Sequence, residues 1–407
     1  MNNLTRYLKI VFIAGFCIIS QLFTFLKAYS FDIDEPVLSV TNFLDSLTYD
    51  YRGVNIKLLG VSIGETYDDN ITFSETDEEE DFVTDISFAV GVSYEGKRNT
   101  FGLVGNISSQ IFAKNSEFNH VAEDVDLKFM HEFSEQDRIN VKNSFYHSEA
   151  PLFFRDDFFD EQFQRTDGRF DHYRNRLDID YQKDISKQIT GTIWYGNNIN
   201  AFSGVDIAAS YTNEAGIEAD YLLSSLTQFS LSYDFRNIQF ENDEDATINT
   251  VTAGVRQYIT KKIYFDGAVG LDFIDSFEDG EEFTRPLYAA SFVYEVSDRT
   301  EATVSFTKRD ETNPYVSDVF HQWRTSVGFK RQLSERLKCA LSAFYGDGEY
   351  VFSNFEREFL GGRATLGYDI TKNLSGNFTY AYSDLNSNIS TAEYEKNTVF
   401  LGLVAEF

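Results

Sequence analysis

The sequence predicts an all-β fold, a transmembrane antiparallel β-barrel of about eighteen strands, with sixteen as the alternative count. Three observations carry this. Apolar and polar residues alternate from residue 57 to the end, short polar turns recur about every 37 residues, and aromatics stand at both ends of the alternating runs. In residues 374–383, Leu374, Gly376, Phe378, Tyr380 and Tyr382 share one face, and Ser375, Asn377, Thr379, Ala381 and Ser383 share the other. Such a period of two belongs to a strand with one apolar and one wet side. Phe229, Leu231, Tyr233 and Phe235 repeat the pattern opposite Ser230, Ser232, Asp234 and Arg236. Lipid offers backbone groups no hydrogen-bond partner, so strands of this kind must close on themselves. A barrel this wide leaves a water-filled lumen, which tolerates a polar inner stripe.

Eight short turns are expected near Lys97, Gln136, Ile185, Ser225, Lys261, Asp298, Glu335 and Lys372. An aromatic precedes each: Tyr94, Phe133, Tyr181, Tyr221, Tyr258, Tyr294, Phe329 and Tyr368. These read as a periplasmic girdle, where a ring meets lipid and water at once. Tyr258 is the exception, because parity puts it on the face of Arg256. A second set lies about ten residues into the rising strands, the length of a tilted membrane strand. Its members are Phe145, Tyr195, Phe235, Phe273, Phe306, Tyr345 and Tyr382. The other connections are longer and more polar, as in 74–82, 148–171, 277–285 and 385–392, so the short turns are assigned to the periplasm and the longer loops to the cell exterior. A β-propeller has a comparable repeat, but each blade needs four short strands where this chain has two long ones.

Residues 1–30 read as a secretory signal: Arg6 and Lys9, then a mostly apolar run to Phe25, then the small residues Ala28 and Ser30. Residues 31–56 are expected to form an N-terminal periplasmic segment or a small plug, and residues 57–407 the barrel. Cys17 leaves with the signal, so Cys339 has no partner for an intramolecular disulfide. A net charge of -30 argues against nucleic-acid partners. An aromatic content of 16% argues against acidic disorder. Four prolines in the whole chain suit long strands.

Parity places Lys142, Arg176, Asp178, Asp180, Asp234, Arg236, Asp266, Asp272, Arg324 and Arg363 on the lumen face. Such groups set ion selectivity or bind a passing polar solute; mutual pairing on a solvated wall is the alternative. The segment 148–171 mixes Phe153, Phe154, Phe158, Phe159, Phe163 and Phe170 with Arg and Asp. It is expected either to fold into the lumen and narrow it or to extend two strands above the membrane. The acidic run 75–81 is either a divalent-cation site beside lipopolysaccharide or simply solvated. No catalytic, cofactor or metal site is expected. Gly60-Val61-Ser62-Ile63-Gly64 has nucleophile-elbow spacing, yet the alternation runs straight through it. The five histidines lack zinc-ligand spacing.

In the final strand, Val399, Leu401, Leu403 and Phe407 resemble the C-terminal signal read by the bacterial barrel-insertion machinery. That machinery, outer-membrane lipid and lipopolysaccharide are the expected partners. Tyr67-Asp68-Asp69-Asn70-Ile71, the hairpins from Tyr181 to Ile193 and Tyr368 to Tyr380, and Tyr394, Asn397, Val399, Leu401 and Phe407 resemble the putative beta-barrel porin type 2 family. The resemblance spans residues 57–407. It implies an outer-membrane barrel of a Gram-negative bacterium that exports or assembles an exopolysaccharide, with periplasmic export partners and no catalytic residues. Beside it stand a general diffusion porin for small hydrophilic solutes and a non-conducting structural or adhesive surface barrel.

Overall fold

A computed structural model of the chain describes residues 48–51, 54–151, 158–165, 168–241, 245–276, 282–353, 355–388 and 393–407. Residues 1–30, expected to be a secretory signal, and most of the segment assigned to 31–56 lie outside the described residues. A short strand, β1 (Thr48–Tyr51), pairs with the start of β2 (Val54–Asp68). The barrel wall therefore begins at Val54, three residues before the alternation becomes legible. It continues through β3 (Asp81–Glu95), β4 (Asn99–Phe112), β5 (His120–Glu132), β6 (Asp137–Ser148), β7 (Asp171–Asp184), β8 (Ile189–Ser203), β9 (Ser210–Ser224) and β10 (Thr227–Phe240). The second half comprises β11 (Ala246–Thr260), β12 (Ile263–Ser276), β13 (Glu282–Ser297), β14 (Thr300–Asn313) and β15 (Asp318–Gln332). It ends with β16 (Leu337–Tyr350), β17 (Glu356–Asp369), β18 (Leu374–Ser387) and β19 (Tyr394–Glu406).

Each strand from β2 to β19 pairs antiparallel with its successor, and β19 pairs with β2 from Thr398↔Asp68 to Glu406↔Gly60. The result is a closed barrel of eighteen strands with no free sheet edge along its membrane-spanning height. All eight short turns fall where the sequence places them. In seven, a Ser or Thr oxygen accepts the N–H two residues on: Ser134, Ser186, Ser224, Thr260, Ser297, Ser334 and Thr371. This side-chain turn satisfies a backbone donor locally and fixes the hairpin.

The apolar stripe faces away from the protein. Ile193, Ile217, Leu231, Val269 and Leu401 are all more than half exposed, while their strand neighbours face the lumen. Phe133, Tyr221, Tyr294 and Tyr368 are exposed at the turn end of their strands. At β11 the register shifts between Tyr258 and Thr260. Tyr258 stays on the Arg256 face beside Tyr264, and Ile259 takes the outward position.

Two places depart from a uniform cylinder. Side chains seal the outer end of the β19–β2 seam: Asp68 pairs with Lys396 at 2.7 Å, and Asp69 accepts the Asn397 backbone N–H at 2.7 Å and its side-chain amide at 2.9 Å. Asn70 donates to the Glu395 carbonyl at 3.0 Å and the Ser74 carbonyl at 2.7 Å. The Asp-Asp-Asn stretch is thus a stitch between the first and last wall strands. The second departure is the β13–β14 ladder, which stops at Tyr288↔Lys308, whereas β12–β13 runs on to Glu282 and β14–β15 to Asn313. Pro286, which has no N–H to give, lies in the stretch of β13 left without a β14 partner. Beyond Lys308, the β14–β15 end leans inward. Arg236 of β10 donates to the Asp310 carbonyl at 3.3 Å, and Val319 packs with Ile238, Ile248 and Ile274 of the β10–β12 wall.

Candidate functional site: a constriction in the extracellular half of the lumen

Between β6 and β7 lies a helix, α1 (Phe158–Gln164), packed inside the lumen, while Phe153 and Phe154 lie outside the described residues. The phenylalanines of α1 explain its packing. Phe159 and Phe163 pack against Phe344, and Phe163 also against Phe359 and Tyr394, with ring centroids 4.9–6.4 Å apart. Phe344 and Phe359 are lumen-facing residues of β16 and β17. Glycines make the room: a Cβ on Gly361 would lie 2.2 Å from the Phe344 ring. The last carbonyls of a helix have no partner within it. Here the far wall supplies them. Tyr394 donates to the Gln162 carbonyl at 3.1 Å, Arg357 to that of Phe163 at 3.0 Å, and Asn313 to that of Gln164 at 3.0 Å. Arg357 is a cation at a helix C-terminus, where the macrodipole favours it.

Two further connections meet α1. The turn between β14 and β15 brings Tyr315 to His172 of β7, with Oη 2.9 Å from Nδ1, and to Glu161 of α1 at 3.4 Å. The loop after β2 brings in Phe73, which sits in the left-handed region at φ 57°, a strained conformation for a bulky residue. Its ring lies 3.8 Å from Lys396 Nζ and 5.6 Å from the Tyr394 ring. Gly168, at φ 91°, donates to the Thr72 carbonyl and ties this loop to the chain after α1. Burial pushes the Glu161 carboxyl up, but the His172 hydrogen bond and the charges of Arg165 and Arg174 outweigh it and hold the group below its ordinary range. A buried carboxylate with such partners keeps its charge.

Residues 279–407 match the model of the family described as Putative beta-barrel porin 2. The chain is an outer-membrane β-barrel of a Gram-negative bacterium. Among solved structures, it resembles a BenF-like porin from Pseudomonas fluorescens Pf-5 at 11% identity and a TM-score of 0.50, over 88% of this chain and 99% of that one. OccK2 (OpdF) and OpdK with vanillate, both from Pseudomonas aeruginosa, follow at 9% and 10% identity with TM-scores of 0.48 and 0.47. Each covers 86% of this chain and 98% of its own. The likeness is one of fold. No curated protein matches the chain.

The ten charges predicted to face the lumen divide into three groups. Arg324 bonds Asp160 of α1 and lies 3.9 Å from the Phe344 ring; Arg363 lies 4.9 Å from the Phe158 ring. Arg236 and Asp272 belong to the wall that receives the β14–β15 end, with Thr250 donating to Asp272 at 2.5 Å. Of the other six, five have a hydrogen-bond or ion-pair partner along the wall. Arg176 binds Asp178 at 3.1 Å, Asn140 donates to Asp180 at 2.7 Å, and Asp266 binds Arg256 at 2.6 Å. Lys142 stands opposite Asp178 and Lys128 in the ladders, and Ser232 donates to Asp234 at 3.4 Å.

Residue parity did not single out Arg357, Tyr394, Asn313, Glu161 or Tyr315. The one signal for the constriction was the density of phenylalanine in a connection. Asp81, from the acidic run, is a buried acceptor for the N–H groups of Phe82, Lys114 and Asn115, while Glu80 pairs with Lys114 in the open. No group of residues suited to a metal occurs among the described residues. Ser62 lies inside β2 with its Oγ 2.5 Å from Ser87 Oγ, so the strand, turn and helix of a nucleophile elbow are not there.

Proposed function

We propose that the porin is a channel for small hydrophilic solutes that prefers cations and is narrowed near its extracellular mouth by α1 and the β14–β15 end. The observation that carries this reading is the capping of the α1 carbonyls by Tyr394, Arg357 and Asn313 of the opposite wall. A segment that merely drifted in the lumen would leave those groups to water. The cation preference rests on charge. Arg324 and Arg363 are engaged by α1, and Arg236 and Asp272 lie under the β14–β15 end, which leaves Asp178, Asp180, Asp234 and Asp266 against Lys142 and Arg176 among the predicted lumen groups. Excess negative charge along a pore favours cations. Purified protein in planar bilayers under a KCl gradient should give a reversal potential toward that of potassium, reduced by Asp178→Asn with Asp180→Asn. A potential toward that of chloride would refute the preference, and zero conductance would favour a structural or adhesive barrel.

A second reading, export or surface assembly of an exopolysaccharide with periplasmic partners, rests on the sequence resemblance to the putative beta-barrel porin type 2 family alone. A polymer needs a wider path, so this use requires α1 to leave the lumen. Loss of secreted polysaccharide on gene deletion, with small-solute uptake intact, would select it.

A further inference from the structure

Above Lys308 the inward lean of the β14–β15 end leaves a cleft on the outer face of the wall, with a cavity of about 290 Å³. Its floor is made of two cross-strand rows. One runs Lys308–Trp323–Asp347 across β14, β15 and β16. The other runs His321–Glu349–Glu356 across β15, β16 and β17. Arg285, from the stretch of β13 without a β14 partner, reaches over the missing ladder to Glu349 at 3.0 Å and closes one side. Tyr345 and Phe306, 5.5 and 6.3 Å from the Trp323 ring, hold the indole from the membrane side. Both belong to the upper aromatic set, so the cleft opens just beyond the outer leaflet.

We propose that this cleft is a saccharide-binding site that takes a neutral or amino-substituted sugar unit, stacked on Trp323 and hydrogen-bonded by Asp347, Glu349 and Glu356. Three features favour that chemistry. An indole has the broad apolar face that the C–H side of a pyranose covers, with a polar rim alongside. Carboxylates are acceptors only, and each can take two hydroxyl or ammonium donors. Small-ligand sites combine an aromatic wall with a few convergent polar groups, as here. The charge decides the sugar class. Glu349 has Arg285, but Asp347 and Glu356 share the cleft with Lys308 alone as the other cation. Burial, with Glu358, Glu356 and Glu349 nearby, holds the Asp347 carboxyl above its ordinary range, as an unneutralised acidic cleft would. An anionic uronic acid would add to that repulsion. The sugar has two possible sources, the core of lipopolysaccharide or a polymer at the cell surface, and the site stands whether or not the lumen conducts.

Trp194 and Trp323 are the two tryptophans of the chain, so Trp194→Phe leaves Trp323 as sole reporter. The full-length variant in detergent is titrated with chitotriose, maltotriose, trigalacturonate and purified lipopolysaccharide core oligosaccharide. A saturable shift of indole emission by chitotriose or maltotriose, with a Kd on the order of 1 mM and at least tenfold weaker for trigalacturonate, is expected. Asp347→Asn with Glu356→Gln, which keeps size and shape, should weaken it about tenfold or more. Tighter binding of the core oligosaccharide assigns the ligand to lipopolysaccharide, and tighter binding of a trisaccharide assigns it to a polymer. No saturable response to any of the four, an equal response to trigalacturonate, or an undiminished response in the carboxylate variant would overturn the proposal.

Discussion

Truncating Phe163 to alanine should free α1 without touching the barrel. The side chain is 8% exposed and its ring meets those of Phe159, Phe344, Phe359 and Tyr394. Burying a phenylalanine this fully and then removing it costs about 3–5 kcal/mol. None of that cost falls on the strand ladders, because α1 lies outside every one of them. The loss therefore goes into the balance between a docked and a released α1. With each 1.4 kcal/mol worth tenfold, about 3 kcal/mol moves that balance more than a hundredfold toward release. In planar bilayers, the Phe163→Ala protein should show higher single-channel conductance or a long-lived higher-conductance state. Its thermal unfolding in detergent should stay close to that of the parent. Because Phe163 and Phe344 touch, Phe344→Ala should add less to the Phe163→Ala background than to the parent, by about 0.5 kcal/mol or more. A folded Phe163→Ala protein with unchanged conductance and no new state would refute the argument that α1 limits the passage.

Leu231, 59% exposed on the lipid stripe, and its lumen-facing neighbour Ser232 test the face assignment: Leu231→Arg should destabilise the barrel by about 2–4 kcal/mol while Ser232→Arg is tolerated, and equal effects in detergent unfolding would break it. Lys396→Met should leave buried Asp68 unpaired at about 3–5 kcal/mol and lower the thermal midpoint, whereas adding Asp68→Asn should recover much of it; a double variant as unstable as the single would contradict the ion-pair account. Burial pulls the His147 pKa down, but Glu123 and Asp171 outweigh it and raise it above the ordinary value of 6.5. The stabilisation this gives to the outer ends of β5, β6 and β7 is complete below that ordinary value and is lost as pH rises through the raised one. Hydrogen exchange at these strand ends should quicken over that window in the parent and not in His147→Gln; the same dependence in both would exclude His147 as its source.

Periodicity alone located the wall, because the side-chain period of a strand is fixed by geometry and lipid punishes any error in it. The same rule put Arg324 and Arg363 on the inner face. It could not reveal what they touch, since parity gives a direction and says nothing about what lies across a lumen. Arg357 and Tyr394 share the inner parity with many residues that meet only water, and their partners are carbonyls more than 190 positions away. The room for Phe344 comes from an absent side chain at Gly361, which no pattern of apolar residues records. Asp68 and Asn70 stood out only as part of a motif, and nothing local named their partners, because Lys396 and Glu395 lie at the opposite end of the chain. The short β13–β14 ladder left one trace, Pro286 inside an otherwise ordinary strand.

The anchoring of α1 has a mechanical side. A hollow tube of eighteen strands resists stretching along its hydrogen bonds but yields easily when squeezed, because ovalising it breaks no bond. Held at one end by β6 and β7 and bolted to β14, β17 and β19 at the other, α1 is a crossbeam set across that tube. Lateral pressure from a crowded leaflet would then be borne by its aromatic contacts rather than by bending of the sheet.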